Sequence, residues 1–150
     1  MPPRRRNPVR PAVSVLRLGH RIGRDPRLTT HLALAARALG AERLYLHPPD
    51  PELAGRVASV GRTWGGAFEV VGVEEWRSLV DRFDGTVVHL TMYGEPWAKA
   101  RSAVRRARRL LLVVGGAKVP SDIYRRAGPV GRARGRGDGG RGARLPAPAR

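Results

Sequence analysis

Short β-rich apolar runs and longer stretches of helical spacing alternate along this chain from residue 12 to residue 127. Ala12 to Leu18 (AVSVLRL) reads as a strand ended by Gly19, and Thr29 or Thr30 can cap a helix running through Leu32, Leu34, Ala35 and Leu39 to Gly40. Arg43 to Leu46 (RLYL) predicts a second strand, closed by His47-Pro48-Pro49. Asp50 then stands as an N-cap with Pro51 in the first helical position, and Leu53, Val57, Val60 and Trp64 follow at helical spacing up to Gly65.

The second half repeats the order. Phe68 to Val71 predicts a third strand, and Trp76, Leu79, Val80 and Phe83 fall at i, i+3, i+4 and i+7 of a helix stopped by Gly85. Thr86 to Leu90 (TVVHL) predicts a fourth strand, Trp97 to Arg109 a basic helix, Leu110 to Val114 (LLLVV) a fifth strand, and Ser121 to Ala127 the start of another helix. Strict alternation with apolar strands implies an α/β domain over 12–127, with a largely parallel sheet and helices on both faces.

The alternation stops at Ala127. Between residues 128 and 150 only Val130, Asp138 and Leu145 are not Gly, Arg, Ala or Pro, so this segment cannot bury enough apolar surface to offset chain entropy and is expected to be disordered. Two origins fit the composition: an Arg/Gly-rich RNA-binding tail, or translation out of frame, because the codon families of Gly, Ala, Arg and Pro begin with two G or C bases. Residues 1–11 (MPPRRRNPVRP) read as a basic, disordered N-terminal extension.

Charge narrows the class of partner. The chain carries 29 Lys and Arg against 12 Asp and Glu, a net charge of +17, which favours a polyanion such as RNA or DNA. Both termini are Arg-rich, yet the segment 12–127 is itself basic. Only Lys99 and Lys118 are Lys, a skew that suits a GC-rich gene, so individual arginines are not read as contacts. With no Cys, disulfide frameworks, thiolate metal sites and Cys nucleophiles are excluded. The four histidines (His20, His31, His47, His89) lack metal spacing, and no metal is expected. No apolar run is long enough to span a membrane and the N-terminus lacks the apolar stretch of a secretory signal, so a soluble cytoplasmic protein is expected.

Ligands of open α/β sheets sit at the carboxyl ends of the strands, which directs attention to three loops. Leu16 to His31 gathers Arg17, His20, Arg21, Arg24, Asp25, Arg27 and His31 before a predicted helix N-terminus, a setting for a phosphate or oxyanion or simply a solvated basic loop capped by Asp25. His89 to Gly94 (HLTMYG) could bring backbone close to a flat ligand or be an ordinary turn. Gly115 to Pro120 (GGAKVP) permits close approach of a ligand through its double glycine, although it is neither a GxGxxG nor a P-loop. The run Arg101, Arg105, Arg106, Arg108, Arg109 is a solvated helix face that could also hold an RNA backbone.

Several blocks in this order, LRLGHR, RD-R-TTH, ARALGA, WGGAF, VVHLTMYG and VVGG-KVP followed by DIY, resemble the archaeal tRNA (cytidine 56) 2′-O-methyltransferases of the SPOUT, or trefoil-knot, superfamily. The resemblance covers Val15 to about Ala127. It implies a homodimeric enzyme that binds S-adenosylmethionine (SAM) in a C-terminal knot and methylates a ribose 2′-hydroxyl in the tRNA T loop. Carried over by position, the cofactor pocket takes Leu90, Gly115, Gly116, Ala117, Lys118 and Val119. For the group that acts on the ribose hydroxyl the candidates are Arg24, Arg27 and Arg37, with His31 beside them; the position six residues before Gly40, where related ribose methyltransferases suggest an Arg, holds Leu34. The family's third cofactor segment, a Gly-Asn-Gln-Pro-His-Ser-Glu type loop with its helix, does not follow Ala127. That departure favours the out-of-frame origin of 128–150 and implies a truncated domain with an incomplete knot, which as written neither holds SAM tightly nor transfers methyl. The alternative is a non-catalytic RNA-binding module with a basic tail.

Overall fold

The computed structural model describes residues 10–91 and 93–127. Five strands, β1 (Ala12–Leu18), β2 (Arg43–His47), β3 (Glu69–Gly72), β4 (Thr86–Leu90) and β5 (Arg109–Gly115), form one sheet in the order β3-β2-β1-β5-β4, with every pairing parallel. The connecting helices are α1 (Pro26–Ala38), α2 (Pro51–Trp64), α3 (Trp76–Arg82) and α4 (Trp97–Arg106), and the short α5 (Ile123–Arg126) follows β5. The predictions for 1–9 and 128–150, and the incomplete knot, concern residues outside those described.

The strand order explains why β1 lacks an alternating pattern. Paired on both edges and covered on both faces, it buries five consecutive residues from Ser14 to Leu18. On one face Val15, Leu44 and Leu46 pack with Ala33 and Ala36 of α1 and Leu53 and Val57 of α2. On the other, Leu16, Leu18, Leu111 and Val113 pack with Trp76 and Val80 of α3 and Ile123 of α5. Burying an aliphatic side chain of this size contributes about 1.5–3 kcal/mol, so these two clusters are the main source of cohesion. The division of helices follows from handedness. The crossovers through α1 and α2 step in one direction across the sheet and the crossover through α3 steps back, so right-handed connections place α3 on the opposite face.

Three boundaries correct the sequence reading. α1 begins at Pro26 with Asp25 in the N-cap position, not after Thr29 or Thr30. Asp25-Pro26 is the same start signal as Asp50-Pro51, and Thr29 is instead fully buried inside the helix. The basic helix ends at Arg106, because Arg109 is already in β5, paired in register with Ala12. The last helix is a single turn starting at Ile123 rather than at Ser121.

Candidate functional site at the carboxyl edge of the sheet

The loop after β1 leads to α1 on one face, and the loop after β5 leads to α5 on the other. Adjacent strands whose connections leave in opposite directions create a crevice at their carboxyl ends, here between β1 and β5. Glycine lets the two loops touch. Gly19 (φ 80°) has Lys118 O 2.6 Å from where a Cβ would lie, and a Cβ on Gly116 would lie 2.4 Å from Gly19 O. The Gly116 amide donates to Leu18 O at 2.8 Å, completing the closure.

Beneath this edge lies a buried polar network. Arg17, 3% exposed, donates through Nη1 to Gly115 O at 2.7 Å and through Nε to Thr29 Oγ1 at 3.3 Å, binding β5 and α1 to the end of β1. His20 Nδ1 meets Thr29 Oγ1 at 2.7 Å and His20 Nε2 meets Asp50 Oδ2 at 2.9 Å. Since the Asp50 carboxylate only accepts, Nε2 donates, and Thr29 Oγ1 is shared between His20 Nδ1 and Arg17 Nε. Asp50 Oδ1 accepts the Leu53 amide at 3.1 Å, which makes it the cap of α2 as well. The hydrogen bond from His20 holds the Asp50 carboxyl below the usual carboxylate range. Asp25 is held down likewise, first by the Arg21 guanidinium, whose Nε and Nη2 donate to it at 3.1 and 2.9 Å. Burial lowers Arg17's pKa, opposed by Asp25 at 3.8 Å.

The basic loop read from the sequence is therefore divided. Arg17 and His20 are buried and bonded to internal partners, whereas Arg24, Arg27 and His31 are exposed. Arg27 and His31 lie four residues apart in the first turns of α1, on one helix face, with Arg24 just ahead of them. Arg37 is not brought to them. It sits in the last turn of α1, about 15 Å along the helix from Arg27, and donates to Gly65 O at the end of α2.

The proposed cofactor residues do come together. β4 and β5 are neighbours, with Leu90 opposite Val114, so their loops emerge side by side. Leu90 is exposed, Gly115, Gly116 and Val119 are half-buried, and Ala117 and Lys118 are exposed. A Cβ on Gly115 would lie 2.5 Å from Val119 Cγ1. Under this loop the His89 ring is 1% exposed and edge-on to Tyr124 at 4.9 Å, and its Nδ1 has no hydrogen-bond partner among the described residues. Burial pushes the His89 pKa down, so the imidazole is neutral. The Tyr124 hydroxyl bonds Thr91 Oγ1 at 3.1 Å and ties α5 to the β4 loop. Sequence reasoning did not foresee Asp50 and Thr29 as partners of His20, nor His89 as an orphan. Partners thirty residues apart leave no local periodicity, and only the apolar setting of a lone His in TVVHL signalled burial.

Among the described residues no group of His, Asp or Glu could hold a metal ion, and no helix is long and apolar enough to cross a membrane.

The strand order and loop contacts define an all-parallel α/β fold with a glycine-closed carboxyl edge. A solved rRNA methyltransferase from Sinorhizobium meliloti shares the fold with a TM-score of 0.50 over 80% of this chain and 46% of that one, at 17% identity. A family profile described as tRNA ribose 2'-O-methyltransferase, aTrm56, matches residues 64–129. Curated relatives named tRNA (cytidine(56)-2'-O)-methyltransferase include those of Cenarchaeum symbiosum, 47% identical over 75% of this chain and 65% of the relative, and Haloarcula marismortui, 48% identical over 78% and 67%. The chain belongs to the tRNA (cytidine(56)-2'-O)-methyltransferase family, and spans about two thirds of the length of these two relatives.

Proposed function

We propose that this protein is a SAM-dependent methyltransferase acting on the 2′-hydroxyl of cytidine 56 in the tRNA T loop, working as a homodimer in the cytoplasm. The observation that carries this reading is positional: the segment matched to the family, 64–129, contains the β5 loop that meets the β1 loop at the carboxyl edge, and the β4 loop beside it. The edge fits SAM. It offers an exposed apolar Leu90, a glycine pair whose close contacts leave no room for a Cβ, and a buried imidazole with an unpartnered nitrogen. Leu90, Gly115, Gly116, Ala117, Lys118 and Val119 would hold the cofactor, which when bound supplies an activated methyl on a sulfonium.

The chain's own part is to orient the ribose and take up the hydroxyl proton. Arg24 and Arg27 stand exposed at the amino end of α1, where guanidinium groups can hold a phosphate or the hydroxyl oxygen. His31, one turn further, offers an imidazole able to accept a proton. Arg37, bonded at the far end of α1, is the weakest of the four candidates and serves the α1–α2 contact.

Transfer of labelled methyl from SAM to tRNA, followed by nucleoside analysis, tests this reading. The expected product is 2′-O-methylcytidine, lost with a transcript that carries 2′-deoxycytidine at position 56. Made in a version with the C-terminal cofactor segment restored, Arg24→Ala or Arg27→Ala should lower transfer far more than SAM affinity. Titration of the chain with SAM shows whether the two loops suffice as a cradle. tRNA binding with neither SAM binding nor transfer by a chain that carries a complete C-terminal cofactor segment would overturn the enzyme reading in favour of an RNA-binding module.

A further inference from the structure

The basic side chains of this molecule differ in whether a carboxylate answers them. Arg21, Arg43, Arg56, Arg77 and Arg126 are each in an ion pair with a carboxylate. Lys99, Arg101, Arg105, Arg106 and Arg108 are exposed and in no ion pair among the described residues. Between Glu95 and Asp122 the sequence contains no Asp or Glu.

Helix stability does not explain the arrangement. Cations in the last turn, Arg105 and Arg106, complement the helix dipole, but Lys99 and Arg101 occupy the first half of α4, where positive charge is unfavourable and no acid stands in the first turn. Trp97, 56% exposed, opens the same helix. Trp97, Arg101 and Arg105 recur every four residues and therefore line one face, with successive groups about 6 Å apart along the axis. α4 joins two parallel strands and so runs antiparallel to them. Its Trp97 end lies at the carboxyl edge, beside the β4 loop, and its Arg105 end lies at the opposite edge of the sheet.

We infer that the exposed face of α4 is the track along which the RNA backbone leaves the carboxyl edge: Arg101 and Arg105, flanked by Lys99 and Arg106, bind successive phosphates, and Trp97 stacks on an unpaired base next to the reacting nucleotide. The inference rests on tRNA being the substrate and adds where its backbone lies. An aromatic platform at the head of a run of cations is the arrangement that single-stranded segments recognise without base-specific hydrogen bonds.

Filter binding of tRNA by the full chain at several salt concentrations tests this. Arg101→Gln/Arg105→Gln should weaken binding about tenfold near physiological salt, and should reduce the slope of log affinity against log salt by about 1.4 for single-stranded or about 1.8 for duplex contacts. Arg101→Lys/Arg105→Lys should keep the wild-type slope, and Trp97→Ala should weaken binding about tenfold with the slope unchanged. Arg56→Gln/Arg62→Gln on α2, which removes the same charge elsewhere, should leave the slope as it is. Equal slopes for the α4 and α2 pairs would overturn the inference while leaving tRNA as substrate. Loss of self-association with intact tRNA binding would also overturn it, making α4 a protein contact. A folded wild-type chain that binds no tRNA at low salt would instead overturn the functional reading beneath it.

Discussion

Charge is handled in opposite ways below the carboxyl edge and along α4. Under the edge, Arg17, His20, Thr29, Asp25 and Asp50 are buried and hydrogen-bonded or ion-paired within the fold. Along α4 the cations are exposed, with no acid between Pro96 and Ser121. Removing a partner from the first group leaves a desolvated polar atom behind, whereas removing a charge from the second leaves only water. Substitutions below the edge should therefore be read in stability, and those on α4 in binding.

The sharpest way to break that contrast is Asp50→Ala. It removes the cap of α2, a loss of about 1–2 kcal/mol, and strands His20 Nε2 in the interior, a further 1–3 kcal/mol. Urea denaturation should register a loss of about 3 kcal/mol. Combined with His20→Ala, the double variant should lose less than the two single losses together, because the stranded group is gone. Additive losses would mean that the His20–Asp50 contact carries no coupling.

Gly116→Ala comes next. The new methyl meets the carbonyl of Gly19, backbone against backbone, so one of the two loops must shift at a cost of about 1–3 kcal/mol. Gly23→Ala is the contrasting control, since Gly23 has positive φ (78°) and open space around it, leaving only the conformational cost of about 1–2 kcal/mol. Faster amide exchange at Gly116 in the first variant and not the second would locate the damage at the β1–β5 contact.

Asp122 tests an intermediate case, a carboxylate near the surface yet fully paired. Arg77 donates to it at 2.7 and 3.2 Å and Arg126 at 3.2 Å, joining α3 to α5, and these hydrogen bonds hold its pKa down from 3.8 to about 2. A depressed carboxyl pKa stabilises the fold above the unfolded value and is lost as pH falls through the folded one. The wild-type acid limb should thus include a component between pH 3.8 and about 2 that Asp122→Asn lacks. Superimposable acid limbs would show that the clamp contributes nothing in solution.

Much of this architecture was legible because it is encoded locally. β1 and β4 end where their apolar runs end, and Asp50-Pro51 with Gly65 brackets α2. The misplacements have physical causes. Two threonines looked like a cap for α1, yet Thr29 is needed inside to link Arg17 to His20, and the true start four residues earlier carries an Asp-Pro pair. Arginine is a good helix former, which extended α4 on paper through Arg109, but pairing with Ala12 claims that residue for β5. At the site, the cofactor loops follow from strand ends and glycines, while the division of the basic loop into inward and outward members depends on Asp50, thirty residues from His20. Local pattern has no access to such a partner.

The smallest expected effect is the one that separates the two regions most clearly, because its sign is opposite to that of the others. Arg101 stands four residues after exposed Trp97 and four before Arg105, in a helix with no acid in its first turn. Arg101→Glu removes one like-charge neighbour of Arg105 and places a carboxylate four residues N-terminal to it, the favoured orientation for a helical pair, worth about 0.2–0.5 kcal/mol. The variant should be slightly more stable than the wild type, by thermal or urea denaturation at low salt, with the gain shrinking as salt is added. The same change should weaken tRNA binding, since it puts an anion on the proposed phosphate track. A residue whose replacement raises stability while lowering binding is one that folding does not require. If Arg101→Glu destabilises the fold to the extent that Asp50→Ala does, the α4 cations belong with the buried network, and the distinction between internally answered and externally directed charge fails.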